Sequence, residues 1–430
     1  MQADRPIRVT GPIQGRITAP PSKSLTQRAL VSAALANGRS VVRNPLLSDD
    51  SRHLIAALNA VGIEARASGP RGGGTAATVE IVGRGGAIPA EGARLSVGNA
   101  GTTMRFLTAM LALGRGSYEI DGNDRMRQRP IEDLLVALRA LGATAESIPN
   151  NGCPPVRAGG SGIPGGAVRL AGSKSSQYLS AILMAAPAAD NPVEVTIEGD
   201  LVSRPYVDLT LDMMAHFGVG VERDPAGYRF TVPGGQKYLA RTVTIEGDYS
   251  SASYFFAAAA VTGGRVEVAG LSPESAQGDA RLIDLLEQMG CAVERGDDFV
   301  AVEGPRELVS IDADLGAMPD VAPTLAVVAM FARGTTRIRG VPHLRFKESD
   351  RIAAVVAEIE RLGGSARAEP DGLTVEPRPL RGARVESYGD HRMAMAFAVA
   401  GLRLPGVVIT DPGCVSKSFP AYWDILNSLK

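Results

Sequence analysis

One segment type recurs six times along the 430 residues: a polar head, a helix-length run of small apolar residues, a glycine or polar break, and a β-branched run. It first appears as PPSKSLTQRALVSAALANG at Pro20, and its relatives open with GNAGTTMR at Gly98, GSKSSQY at Gly172, GDYSSAS at Gly247, MPDVAP at Met318 and GDHRMAM at Gly389. Counted from Pro21, the spacings are 77, 74, 75, 71 and 71 residues. Self-similarity at a near-constant spacing marks one supersecondary unit used repeatedly, each copy burying its apolar face against its neighbours.

The flanking pattern completes the unit. A strand-like segment with alternating polarity precedes each head (GRITA, ARLSVG, AVRLAG, VTIEG, VSIDA, ARVES), and a second helical pattern follows each β-branched run, from DDSRHLIAALNAVG in the first repeat to FPAYWDILNSL in the sixth. The first five of these helices end at glycine, a stop signal. Paired short strands follow, as in GCAVERGDDFVAVEG, so the unit is β-α-β-α-β-β and the fold class α/β. The sixth repeat has no strand pair of its own, and PIRVTGPIQG near the N-terminus is expected to supply it. On that expectation the chain crosses between two lobes near Ala19–Pro21 and again near Ile245–Gly247. Residues 1–20 with 246–430 then form lobe I, and 21–245 lobe II, three repeats each.

Helix N-termini carry unpaired N–H groups and about half a positive charge. Cations there cost stability unless an anion is bound. Yet the first head holds Lys23, Ser24 and Arg28, the second Asn99, Gly101, Thr102 and Arg105, the third Ser175, Ser176 and Gln177, and the sixth His391 and Arg392. Loops entering the second helices add Arg129, Ser203, Arg204, Tyr206, Lys347, Arg351 and Lys417. Any one Ser or Asn is explained as a cap, and any one Arg as a solvated charge. Their return at head after head points instead to several anion sites, facing each other across a cleft between the lobes. These sites are local, because the net charge is −1 and no global basic field favours nucleic acid or a membrane surface.

Two acids stand among the cations, Asp320 in MPDVAP and Glu348 in RFKESDR. A carboxylate so placed is a salt-bridge partner or a proton carrier. His343 and His391 are further candidates for proton handling, while His53 and His216 lie on second helices. Four scattered His, no HxxxH or HExxH, and no GxxxxGKS or GxxxxGKT lead us to expect neither a catalytic metal, a cofactor nor a P-loop. Cys153, Cys291 and Cys414 are an odd number without CxxC spacing, which suits a reducing compartment. MQADRPIRVTGPIQG lacks the apolar core of a signal peptide, so a cytoplasmic monomer acting on small molecules is expected.

The motifs GNAGTTMR, RMRQRP, SSQYLSAILMAAP, GDLVSRPYVDLT, GDYSSASYFFAAAA, MPDVAPTLA, FKESDR, GDHRMAMAFA and DPGCVSKSFP run in this order over nearly the whole chain. They resemble those of the 5-enolpyruvylshikimate-3-phosphate synthases, the 3-phosphoshikimate 1-carboxyvinyltransferases among the enolpyruvyl transferases. The resemblance implies two lobes, each of three repeats around a pseudo-threefold axis, an inside-out α/β barrel. It also implies transfer of the enolpyruvyl group of phosphoenolpyruvate to the 5-hydroxyl of shikimate 3-phosphate, with release of phosphate. Carried over by motif, phosphoenolpyruvate meets Lys23, Gly101, Arg129, Gln177, Arg351, Arg392 and Lys417. Shikimate 3-phosphate meets Lys23, Ser24, Arg28, Thr102, Ser175, Ser176, Gln177, Ser203, Tyr206, Asp320, His343 and Lys347. Glu348 and Asp320, assisted by Lys23, are then the proton-transfer groups.

Two positions depart from the common pattern. Phe106 stands where Pro usually follows GNAGTxMR, and His343 where many members have Asn. The related UDP-N-acetylglucosamine enolpyruvyl transferases usually carry a reactive Cys in the loop matching DGNDRMRQRP, and this loop has none. A non-catalytic sensor of phosphorylated metabolites would use the same cations, but gains nothing from Asp320 and Glu348.

Overall fold

Each repeat centres on one mixed sheet. In the second, Gly92–Ser96 and Ser117–Asp121 pair in parallel, joined by the helix Gly101–Leu111, and Val156–Gly159 and Thr144–Ser147 complete an antiparallel edge. A parallel pair needs a crossover of a dozen residues or more, and the apolar run after each head provides it. The third repeat (Gly166–Ala171, Val193–Glu198, Arg229–Val232, Glu222–Arg223) and the fifth (Asp312–Asp314, Thr336–Arg339, Gly372–Glu376, Ser365–Glu369) have the same strand order. The computed structural model describes residues 3–70 and 76–429.

The first helices are buried on almost every side, as small-residue helices can be: Thr26–Leu35, Tyr249–Val261 and His391–Gly401 are buried throughout. The second helices are amphipathic and stop where expected. Gly62, Gly142, Gly218, Gly290 and Gly363 all have φ between +83° and +100°, a left-handed exit that a Cβ would disfavour.

The strands at the two crossings depart from the order read in the sequence. GRITA lies just before the first head and VTIEG just before the fourth, but each joins the other's sheet. Gln14–Thr18 runs parallel to Arg265–Ala269 of the fourth repeat, and Thr242–Thr244 parallel to Asn37–Arg43 of the first. Alternating polarity identifies a strand without saying which sheet accepts it, and the Pro20–Pro21 corner prevents the strand from continuing into its neighbouring head. The N-terminal segment therefore supplies one strand to the sixth repeat, not a pair: Arg5–Pro6 lies antiparallel to Val408–Ile409, giving a three-stranded sheet with Arg384–Val385. Pro6 has no N–H to extend a ladder, which confines this strand to the edge.

The chain divides into two compact units, Pro21–Ile245 and the combination of Met1–Pro20 with Glu246–Lys430. Each has its own apolar core, centred on its three buried first helices.

Candidate active site

In the unit Pro21–Ile245, the arginines at the heads have neutral partners, while the lysines lie beside carboxylates, Lys174 at 3.1 Å from Asp133. Ser22 caps the helix Lys23–Leu35, and Lys23, its first residue, lies 3.6 Å from Asp50 on the neighbouring helix. Arg28, one turn on, is buried. It donates to Thr210 Oγ1 at 2.8 Å, to the Ser24 carbonyl at 3.0 Å and to the Tyr206 carbonyl at 2.7 Å, and stacks 5.4 Å from the centre of the Phe106 ring. Burial lowers its pKa to about 10. These contacts use three of the guanidinium's five N–H groups.

At the second head, Arg129 donates to the Asn99 carbonyl and side-chain oxygens at 3.1 and 3.2 Å, and Arg105 to the carbonyls of Gly101 and Pro130, both at 3.0 Å. A Cβ at Gly101 would meet both guanidinium groups, so any larger residue here displaces the ends of Arg105 and Arg129. Thr102 accepts from the Gln177 amide at 3.1 Å, tying the second head to the third. Ser175 caps the helix Ser176–Ala185 by accepting from Gln177 N–H at 3.2 Å, and Ser176 is buried behind it. Ser203 adopts φ +54° at the start of the helix Arg204–His216 and so presents Tyr206 to Arg28. A left-handed non-glycine residue costs about 1–3 kcal/mol and persists only where its surroundings over-determine it.

The other unit holds its cations with carboxylates. Arg351, fully buried at the start of the helix Arg351–Arg361, donates to Asp390 through Nε (2.8 Å), to Glu348 through Nη2 (2.8 Å) and to Asp320 through Nη1 (3.1 Å). Burial works against its charge, but Asp390, Glu348 and Asp320 together outweigh that and raise its pKa. Arg392 donates to Asp320 at 2.6 Å and to the Tyr254 hydroxyl at 3.3 Å. Lys417 lies 3.3 Å from Glu348 Oε1. Glu348 thus bridges Arg351 and Lys417, and Asp320 bridges Arg351 and Arg392. Lys347 is half-buried one residue before Glu348.

His343 is buried, and its pKa is lowered to about 3, first by burial and then by Lys347, so it stays neutral through the physiological range. Behind Asp320 lies Asp279, also buried, hydrogen-bonded with the Ser250 hydroxyl. Burial, and then the Asp320 charge, raise its pKa to about 7, against the opposing pull of Arg392 and Ser250. Asp279 was not singled out from the sequence, nor was Asp390, which is buried, caps the helix His391–Gly401 and receives Arg351. An Asp directly before a head reads as an ordinary cap, which Asp390 also is. The signal available was its place beside His391 and Arg392.

The chain matches the family model of EPSP synthase (3-phosphoshikimate 1-carboxyvinyltransferase) over residues 7–426. It is 47% identical over 412 residues to a 3-phosphoshikimate 1-carboxyvinyltransferase of Nostoc punctiforme, covering 96% of this chain and 95% of that protein. Identity to the protein of the same name from Aliivibrio fischeri is 46% over 421 residues, 97% of both chains. Among solved structures, EPSP synthase from Acinetobacter baumannii superposes with a TM-score of 0.80 at 29% identity, over 99% of this chain and 97% of that one. Among the described residues no helix is long and apolar enough to cross a membrane.

Proposed function

The chain belongs to the EPSP synthase family, the 3-phosphoshikimate 1-carboxyvinyltransferases of the shikimate pathway, and we propose how its own residues carry that reaction. The enolpyruvyl group passes from phosphoenolpyruvate to the 5-hydroxyl of shikimate 3-phosphate, and phosphate leaves. Protonation of the methylene carbon makes the adjacent carbon electrophilic, and the hydroxyl adds to it. The tetrahedral intermediate then expels phosphate and gives up a methyl proton. Lobe I is residues 1–20 with 246–430, and lobe II residues 21–245.

Phosphoenolpyruvate is taken by Lys23, Gly101, Arg129 and Gln177 of one lobe and Arg351, Arg392 and Lys417 of the other. Shikimate 3-phosphate is taken by Lys23, Ser24, Arg28, Thr102, Ser175, Ser176, Gln177, Ser203 and Tyr206, with Asp320, His343 and Lys347. Arg forks suit carboxylate and phosphate oxygens, and Lys supplies a mobile point charge near the breaking bond. Glu348 and Asp320 move the protons with Lys23 assisting, while the surrounding cations stabilise the departing phosphate. The observation that carries this reading is the pair of carboxylates, Asp320 and Glu348, each held between two cations. Pure anion binding gains nothing from them. The protein works in the cytoplasm as a monomer on small molecules alone, and its near-zero net charge gives no general attraction for nucleic acid.

Phosphate release measured with phosphoenolpyruvate and either shikimate 3-phosphate or UDP-N-acetylglucosamine tests the proposal. Release with the first acceptor alone is expected. Release with the sugar nucleotide instead, or tight binding of shikimate 3-phosphate without any turnover, overturns it.

A further inference from the structure

We infer that Glu358, which none of the assigned substrate contacts includes, is a positioning residue that sets Asp390 and Arg392 through the turn at Tyr388–Gly389. Two successive residues there are left-handed, Tyr388 with φ +56° and Gly389 with φ +62°. Glycine adopts this freely; an aromatic residue is strained there and needs something to hold it. The next residue, Asp390, caps the helix His391–Gly401 by accepting from Arg392 N–H at 3.0 Å, and receives Arg351. The strained turn therefore determines where both groups stand.

Glu358 supplies the hold. It lies on the helix Arg351–Arg361, seven residues after Arg351 and so on the same face two turns along. Its side chain is fully buried, and both oxygens are engaged by the turn: Oε1 accepts from the Tyr388 hydroxyl at 2.7 Å, and Oε2 from Glu386 N–H at 3.1 Å. Arg361 lies 3.2 Å from Oε2 and offsets the charge. A buried carboxylate survives only when hydrogen-bonded and paired, and here every such contact but one goes to the 386–388 segment. On that segment's other side, Thr410 Oγ1 accepts from Ser387 N–H at 3.1 Å and donates to Glu386 at 3.0 Å. One helix thus grips the turn twice, by Glu358 on one side of the left-handed pair and by Arg351 at Asp390 on the other.

The inference rests on the functional reading above, in which Arg392 takes phosphoenolpyruvate. Steady-state phosphate release is measured for the wild type, Glu358→Ala, Tyr388→Phe and the double variant Glu358→Ala with Tyr388→Gly. Misplacement by a fraction of an ångström costs reactivity steeply, so Glu358→Ala should raise KM for phosphoenolpyruvate about 10- to 100-fold, with KM for shikimate 3-phosphate within about threefold of wild type. Glycine at 388 removes the left-handed cost and should recover roughly fivefold of that loss. Tyr388→Phe alters a half-exposed side chain and carries the test if Glu358→Ala does not fold; a rise of about two- to fivefold in the phosphoenolpyruvate KM is expected from one lost hydrogen bond. An unchanged KM in the single variants, or an equal loss for both substrates that glycine does not rescue, overturns the inference. Should the wild type release no phosphate at all, the functional reading fails by itself. Hydrogen exchange at the Arg392 amide then decides: faster exchange in Glu358→Ala supports the positioning role, and an unchanged rate overturns it.

Discussion

The two units hold the same kind of side chain by opposite means. In Pro21–Ile245, Arg28, Arg105 and Arg129 donate to carbonyl, hydroxyl and amide oxygens, and the carboxylates at the heads stand beside lysines, Asp50 at Lys23 and Asp133 at Lys174. In the other unit, Arg351, Arg392 and Lys417 are tied to Asp320, Glu348 and Asp390. Neutral acceptors fix a guanidinium in place and leave its full positive charge for a ligand. Carboxylates spend some of that charge, a poor design for binding alone, but they place groups that can carry protons among the cations which the proposed function assigns to the departing phosphate. On the proposed function, similar repeats do different work: one unit grips, and the other grips and reacts.

That division is broken most directly at Glu348. Glu348→Gln keeps the shape and one of the two oxygens that meet Arg351 and Lys417, but cannot accept or return a proton at neutral pH. Turnover should fall by about 10²- to 10⁴-fold, with the circular dichroism spectrum intact. A variant with near-normal kcat would remove Glu348 from the chemistry and leave the two units alike. A smaller effect, on stability, is expected at Asp279. Its folded pKa, about 7, lies above the ordinary 3.8, so its contribution is complete below about pH 4 and is lost as pH rises through 7. Asp279→Asn stays neutral throughout. It should match the wild type at pH 4 and exceed it at pH 8 by roughly 2–4 kcal/mol, read as a Tm higher by several degrees. A Tm difference independent of pH would show that Asp279 does not titrate in this range.

Much of this was legible in the residues, because the signals are local. The six heads, the glycine stops and the helix-strand alternation are short-range patterns, and cations at a helix N-terminus stand out against the dipole without any tertiary information. The exchange of GRITA and VTIEG between sheets was not legible, since both segments satisfy the same alternation and only their three-dimensional partners distinguish them. Asp390 was masked by its second occupation as a cap. Asp279 lies in QGDAR, where nothing nearby in sequence announces that Asp320 is a neighbour. Phe106 was visible as a departure from the family pattern, but its partner was not: Arg28 is 78 residues away in the chain.

That last contact offers the finest test of the gripping unit. The face of Phe106 lies against Arg28, whose hydrogen bonds go to neutral oxygens, so the ring steadies a charge held without a carboxylate. A cation–π contact that is shielded from water is worth about 1–2 kcal/mol, and part of that is repaid by any apolar side chain filling the same space. Phe106→Leu keeps most of the packing and removes the quadrupole. The loss falls on Arg28 and hence on shikimate 3-phosphate, so its KM should rise about three- to tenfold while kcat and the phosphoenolpyruvate KM stay within roughly twofold. If the shift appears instead in the phosphoenolpyruvate KM, residue 106 acts through Gly101 and Arg129 at the start of its own helix, and the Arg28 stack is packing without a part in recognition.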